Sequence, residues 1–148
     1  MTKYKSILIE EVPTPNGRIY AKGSLQKIKD SMVSDILNKR CFAIFDNTDE
    51  DIINDTALKN RIVGIVTNFN IVDGQAVLDI EILPTEVGRK LKAIEEIYGE
   101  DMPFELKVNF QFLDKLSEKR NEYGFKYADI TEIKPFVNIA KINGVVEE

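Results

Sequence analysis

A strand, a two-residue turn, a second strand and a capped helix follow one another without a break across residues 61–99. Ile62, Val63, Ile65, Val66 and Phe69 form an apolar, β-branched run. Val72-Asp73-Gly74-Gln75 follows, and Asp-Gly accepts the positive φ that a two-residue hairpin turn requires. Ala76, Leu78, Ile80 and Ile82 then alternate with Val77, Asp79, Glu81 and Leu83, mostly the period of a half-buried strand. Pro84 ends that strand, because proline has no N–H to give to a ladder. Thr85 is a good helix cap, and Glu86 places negative charge in the first turn, where the helix dipole favours it. Val87, Leu91, Ile94 and Ile97 recur at helical spacing, and Gly99 stands at the C′ position. Every local signal in this block agrees.

The rest of the chain adds strands and one more helix. Tyr4, Ile7, Leu8 and Ile9 predict a first strand within 3–12, and Pro13-Thr14-Pro15-Asn16-Gly17 predicts a loop. Arg18-Ile19-Tyr20 resumes an extended path. Ser24 is placed to cap a helix whose apolar face is Leu25, Ile28, Met32, Ile36 and Leu37. A short strand is expected at 41–45. Residues 46–55 form a loop rich in acid, with Asp46, Asp49, Glu50, Asp51 and Asp55. A calcium loop of the EF-hand kind needs glycine at its sixth position and glutamate at its twelfth, and neither is there, so this loop reads as solvated. After Pro103, Phe104, Leu106, Val108, Phe110 and Phe112 share one face and Glu105, Lys107, Asn109 and Gln111 the other. The first set is expected in one core, with Ile62, Ile80 and Ile94 among its neighbours. Residues 114–124 read as a charged connection, 125–133 as a strand that Pro135 interrupts, and 136–142 as a final short extended piece. Together these elements predict an α+β fold, a mainly antiparallel sheet or small barrel with two principal helices.

Composition narrows the function classes. The chain has 148 residues, 43% of them apolar and 30% charged, as in a folded globular domain, and it reads as a single domain over 1–148. No apolar run approaches the roughly 20 residues that cross a bilayer, and the start of the chain lacks the pattern of a secretory signal, so no membrane association is expected. Cys41 is the one cysteine, which excludes an internal disulfide and is consistent with a reducing compartment. A net charge of −5 argues against broad electrostatic contact with nucleic acid. The chain contains no histidine. That removes Ser-His and Cys-His nucleophile pairs, the commonest acid–base side chain at neutral pH, and histidine-based metal sites.

Asn16-Gly17-Arg18-Ile19-Tyr20 has two readings. It is a turn feeding a strand, or it fixes a polar contact, because arginine bonds backbone carbonyls or a carboxylate through several donors. Joined to Val63-Gly64-Ile65-Val66, Leu78-Asp79-Ile80-Glu81-Ile82-Leu83-Pro84-Thr85 and Gly88-Arg89-Lys90-Leu91, this order resembles the prohead maturation proteases of tailed phages, whose fold is shared with herpesvirus assemblin. The resemblance covers 16–135. In that family a similar Asn-Gly-Arg-x-Tyr segment precedes a helix, and a strand ending near Leu-x-Thr-Pro-x-Gly leads into another. Here Pro84 and Thr85 stand in the opposite order.

The departures carry the functional expectation. The family's catalytic histidine lies in the segment that is Phe42-Ala43-Ile44-Phe45-Asp46-Asn47 here, and its serine on the strand that is Phe104-Glu105-Leu106-Lys107-Val108-Asn109-Phe110-Gln111 here. Neither residue is present. Ser117 falls outside the motif, Lys107 has no serine on its strand to activate, and a serine without a base is a poor nucleophile. The resemblance therefore implies an inactive relative: a non-enzymatic structural protein of a phage particle, most sharply an auxiliary (decoration) capsid protein. It implies the major capsid protein or other virion proteins as partners, a homo-oligomer in the particle, and a virion location after assembly in the host cytoplasm. No catalytic, cofactor-binding or metal-binding residue is expected, no cofactor, and neither nucleic acid nor membrane as partner. Two alternatives stand beside this: an active maturation protease with a displaced site, and an unrelated soluble binding domain. Recognition is expected at the acidic loop 46–55 or the charged stretch 114–124, the longest polar excursions.

Overall fold

The computed structural model describes residues 2–14, 17–45, 61–99 and 105–142, with backbone alone at 105, 141 and 142. Seven strands and two helices run in the order β1 (Thr2–Ile9), β2 (Arg18–Ile19), α1 (Ser24–Leu37), β3 (Phe42–Phe45), β4 (Ile62–Val72), β5 (Gln75–Ile82), α2 (Glu86–Tyr98), β6 (Glu105–Arg120) and β7 (Lys126–Ile142). The order β7-β3-β4-β5-β1-β6, with β6 returning to β7, closes six strands into a barrel, and β2 adds outside it along β7. The sheet is mixed. The expected antiparallel pairs are there, but β3 runs parallel to β7 and β1 parallel to β6. Those parallel pairs join segments far apart in sequence, which no local hairpin signal reports.

The 61–99 block folds as its residues direct. Val72 pairs with Gln75 across Asp73 at φ 52° and Gly74 at φ 79°, both left-handed as a two-residue turn requires. Thr85 Oγ1 accepts from Gly88 N at 3.0 Å and donates to the Ile62 carbonyl at 2.5 Å, so one hydroxyl caps α2 and ties it to β4. Leu91 is buried and Val87 packs on the core, whereas Ile97 stands 75% exposed at the far end of the helix.

The start of α1 differs from expectation. Ser24 does not cap it; its hydroxyl donates to the Ala21 carbonyl at 2.7 Å, and Gly23 holds the cap position at φ 100°. The amides leading into the helix are met by the two residues that follow β1 instead. Glu10 Oε2 accepts from Gly23 N at 3.1 Å and Leu25 N at 2.9 Å, and Glu11 Oε2 from Lys22 N at 3.1 Å. Leu25, Ile28 and Met32 are buried as the spacing predicts, but Leu37 lies in the last turn, beyond the packed face, and is 77% exposed.

Strand β6 keeps its alternation: Val108 and Phe110 are buried, and Leu106 and Phe112 pack on the same core. Phe110 stacks on Phe69 with ring centroids 5.5 Å apart. Ile80 belongs to that core, while Ile62 and Ile94 are half-buried outside it, and Phe104 lies outside the described residues. The charged stretch 114–124 is not a loop. β6 continues through it to Arg120, turns at Asn121–Gly124, and pairs back with β7, Lys115 opposite Asp129 and Leu116 opposite Ala128. A hairpin arm whose β7 half supplies the buried Ala128 and Ile130 needs no alternating apolar face on its other strand, so that strand left no periodic trace. Pro135 likewise does not divide β7. It sits in a register shift where Phe112 pairs with Ile133 and Phe110 with Val137, so the missing N–H interrupts no ladder pair. The acidic loop 46–55 lies outside the described residues. No helix among the described residues is long and apolar enough to cross a membrane.

Candidate functional site

Closing the barrel brings together the two segments the family resemblance singled out. β7 lies between β3 and β6, and the register sets Ile44 beside Asn138 and Asn138 beside Asn109. Ala43, Val137, Ile139, Val108 and Phe110, the neighbours of that row along each strand, are core residues, so by strand alternation the row faces away from the barrel interior. Ile44 and Asn138 are nonetheless buried, whereas Asn109 is exposed. Lys107 and Ala140, paired one step along on the same side, are half-buried. Two strand spacings, roughly 10 Å, separate β3 from β6 here, with β7 supplying the side chain between them. Among the described residues, Asn138 Oδ1 has no hydrogen-bond partner. This row therefore offers an aliphatic chain, two amides and one lysine. Asp46 and Asn47 of the same segment lie outside the described residues.

Two other nucleophile candidates sit elsewhere. Ser117 is eight positions beyond Asn109 on β6, roughly 25 Å along a strand, and its hydroxyl accepts from Lys119 N at 3.0 Å. Cys41 is fully buried, and desolvation, with Asp35 adding to it, pushes its thiol up to about 12. A thiol held protonated in this way supplies no nucleophile near neutral pH.

The Asn-Gly-Arg-x-Tyr segment makes the polar contact that its arginine permits. Arg18 Nη1 lies 2.6 Å from Asp114 Oδ1, and the Tyr20 hydroxyl donates to Asp114 Oδ2. Burial first, and then the Asp114 hydrogen bond and charge, push the Tyr20 phenol up to about 12. Tyr20 also meets the Phe112 ring edge-to-face at 5.5 Å. Asp114 stands on the arm, so the motif bolts β2 to the β6–β7 hairpin. Further ties hold the same arm: β2 pairs with Lys126 and Tyr127, Lys27 Nζ donates to the Ile130 carbonyl, and the Tyr127 hydroxyl donates to Glu11 Oε1 at 3.1 Å. At the other end, the Tyr4 hydroxyl donates to Glu95 Oε2 at 3.0 Å, joining β1 to α2, and burial followed by the Glu95 charge raises the Tyr4 phenol above its usual range. A cleft of about 480 Å³ opens beside it, lined by Thr2, Glu81, Ile82, Lys92 and Glu95. Sequence reasoning gave no role to Asp114, Glu10 or Asn138. Asp114 and Glu10 each partner a group distant in the chain, and only the carboxylate type marks them in advance. An asparagine inside the apolar stretch Phe136-Val137-Asn138-Ile139-Ala140 was a visible signal for the third.

The closed barrel, the extra strand and the two helices define a class of fold, that of the prohead maturation proteases. Among solved structures the chain is similar to the bacteriophage T4 capsid assembly protease, gp21, with a TM-score of 0.68 and 17% identity over 93% of this chain and 80% of that chain. No family model matches the chain and no curated protein matches it. The likeness at this identity is one of fold.

Proposed function

We propose that this chain is a non-enzymatic structural component of a tailed-phage particle, an auxiliary (decoration) capsid protein on a prohead-protease-like barrel. The observation that carries the reading is the outer row of β3, β7 and β6. In the segments where the resemblance places the proteases' histidine and serine, 42–47 and 104–111, this chain has neither residue, and the outer row carries Ile44, Asn138, Asn109 and Lys107 in a chain without histidine. A barrel with this core and the Arg18–Asp114 tie, in a chain without histidine, is suited to recognition, since function resides in the site and not in the fold. The partners in this reading are the major capsid protein or another virion protein, and further copies of the chain in the particle. The test is mass spectrometry of purified mature virions, with copy number, beside incubation of the protein with capsid precursor and a serine-directed covalent probe. Presence in virions, an uncut precursor and an unlabelled Ser117 are expected.

A second reading, an active maturation protease with a displaced site, draws support from the similar fold of a capsid assembly protease. Labelling at Ser117 that disappears in Ser117→Ala together with precursor cleavage would put this reading in place of the first.

A further inference from the structure

Strand β6 has two edges with different fates. β7 occupies one between Glu105 opposite Ile142 and Arg120 opposite Lys126, with register shifts at 110–112, 113–114 and 116–120, and Ser117 Oγ accepts from Lys119 N within the last of them. On the other edge the ladder with β1 is registered at Ser6 and Val108, and among the described residues no strand pairs with that edge over 111–120. An unpaired edge displays N–H and C=O groups ready to accept a further strand. This edge is also held in place. Arg18 and Tyr20 grip Asp114, Lys27 grips the Ile130 carbonyl, and β2 braces β7 from its far side. A strand already fixed in geometry loses little freedom when another pairs with it.

The side chains of the arm state what it would accept. Leu113 is 58% and Leu116 45% exposed, so both are free to make apolar contact with an added strand. Lys115, Lys119, Arg120 and Glu118 are exposed around them. Over 113–120 Lys115, Lys119 and Arg120 stand against Asp114 and Glu118, and Asp114 is taken up by Arg18, although the whole chain carries −5.

We propose that the free edge of β6 over 113–120 docks an extended, acidic segment of another protein by strand addition. Main-chain hydrogen bonds give the affinity, Leu113 and Leu116 the apolar contact, and Lys115, Lys119 and Arg120 the preference for acid. A second copy of this chain fits the edge poorly. Two-fold pairing about Leu116 sets Asp114 opposite Glu118, and pairing about Ser117 sets Lys115 opposite Lys119; like charges directly opposite are unfavourable. This inference goes beyond the capsid reading and does not depend on it.

The test uses the intact chain, isotope-labelled, and two end-blocked octapeptides, one alternating glutamate with valine and one alternating lysine with valine. The glutamate peptide is expected to slow amide exchange within 113–120 and to bind about tenfold more tightly than the lysine peptide at low salt. The double variant Lys115→Glu/Lys119→Glu is expected to reverse that preference with its thermal transition intact. Lys115→Gln/Lys119→Gln, a milder change, is expected to weaken the glutamate peptide several-fold, and it decides the matter should the charge reversal unfold the arm. Unchanged exchange at 113–120, equal binding of the two peptides, or self-association through 113–120 in sedimentation would each overturn the proposal.

Discussion

At the residue scale, single atoms set the limits. Gly88 follows the Thr85 cap, and a Cβ built there would stand 2.1 Å from the Leu83 carbonyl oxygen and 3.0 Å from that of Val63. Both obstacles are backbone, so the connection from Leu83 into α2 would have to open to make room. Gly88→Ala is therefore expected to cost about 1–3 kcal/mol, despite alanine's better helix propensity, as measured by chemical denaturation. Tyr20 gives a pH signature. Its folded value of about 12 lies above the ordinary tyrosine value of about 10. The stability it confers is thus complete below pH 10 and is lost as pH rises from 10 toward 12, and Tyr4 acts in the same direction. The melting temperature should stay flat up to pH 10 from these groups and then fall. Tyr20→Phe should remove part of that alkaline fall while lowering neutral-pH stability by about 1.5–3 kcal/mol, the value of a hydrogen bond to a charged group.

At the scale of elements, two segments depend on partners far away in the chain. The first amides of α1 are met by Glu10 from the end of β1, so the helix is capped only when strand and helix are assembled. Glu10→Ala is expected to cost about 1–2 kcal/mol, the range of a lost helix cap, and to raise amide exchange in the first turn of α1, whereas Ser24→Ala should change little. In β6, Phe110 is 4% exposed and stacked on Phe69 of β4, across the barrel interior. Phe110→Ala should cost about 3–5 kcal/mol in denaturant unfolding, the usual range for truncating a buried aromatic. A small effect there would show that the assigned register is wrong, because a one-residue slip turns every side chain of a strand to the other face.

For the whole molecule, closure is the governing event. β7 pairs with β6, β3 and β2, and β1 pairs with β5 and β6, so the first and last strands are both built into the barrel wall. No part of such a ring retains its edges if another part opens. Unfolding is therefore expected as one transition, with far-ultraviolet and near-ultraviolet circular dichroism superimposing across the denaturant range. Two separated transitions would instead reveal a barrel and an arm that melt independently.

Local chemistry alone determined the hairpin at Asp73-Gly74, the Thr85 cap, the alternation of β6 and the buried face of α1, because each rests on residues within one or two turns of one another. Charge and residue type alone removed histidine chemistry. Tertiary structure decided the rest. It made 114–120 a strand and 121–124 its turn, since cross-strand bonds to β7 hold a polar segment extended without any apolar period. It carried β7 past Pro135 through a register shift, replaced Ser24 with Glu10 at the head of α1, and made two pairs of the barrel parallel. It also placed Asn138 between Ile44 and Asn109 and turned Asp114 toward Arg18. These meetings range from Glu10 and Leu25, 15 residues apart, to Arg18 and Asp114, 96 apart, and each costs loop entropy that the assembled fold offsets, which a local pattern has no means of recording.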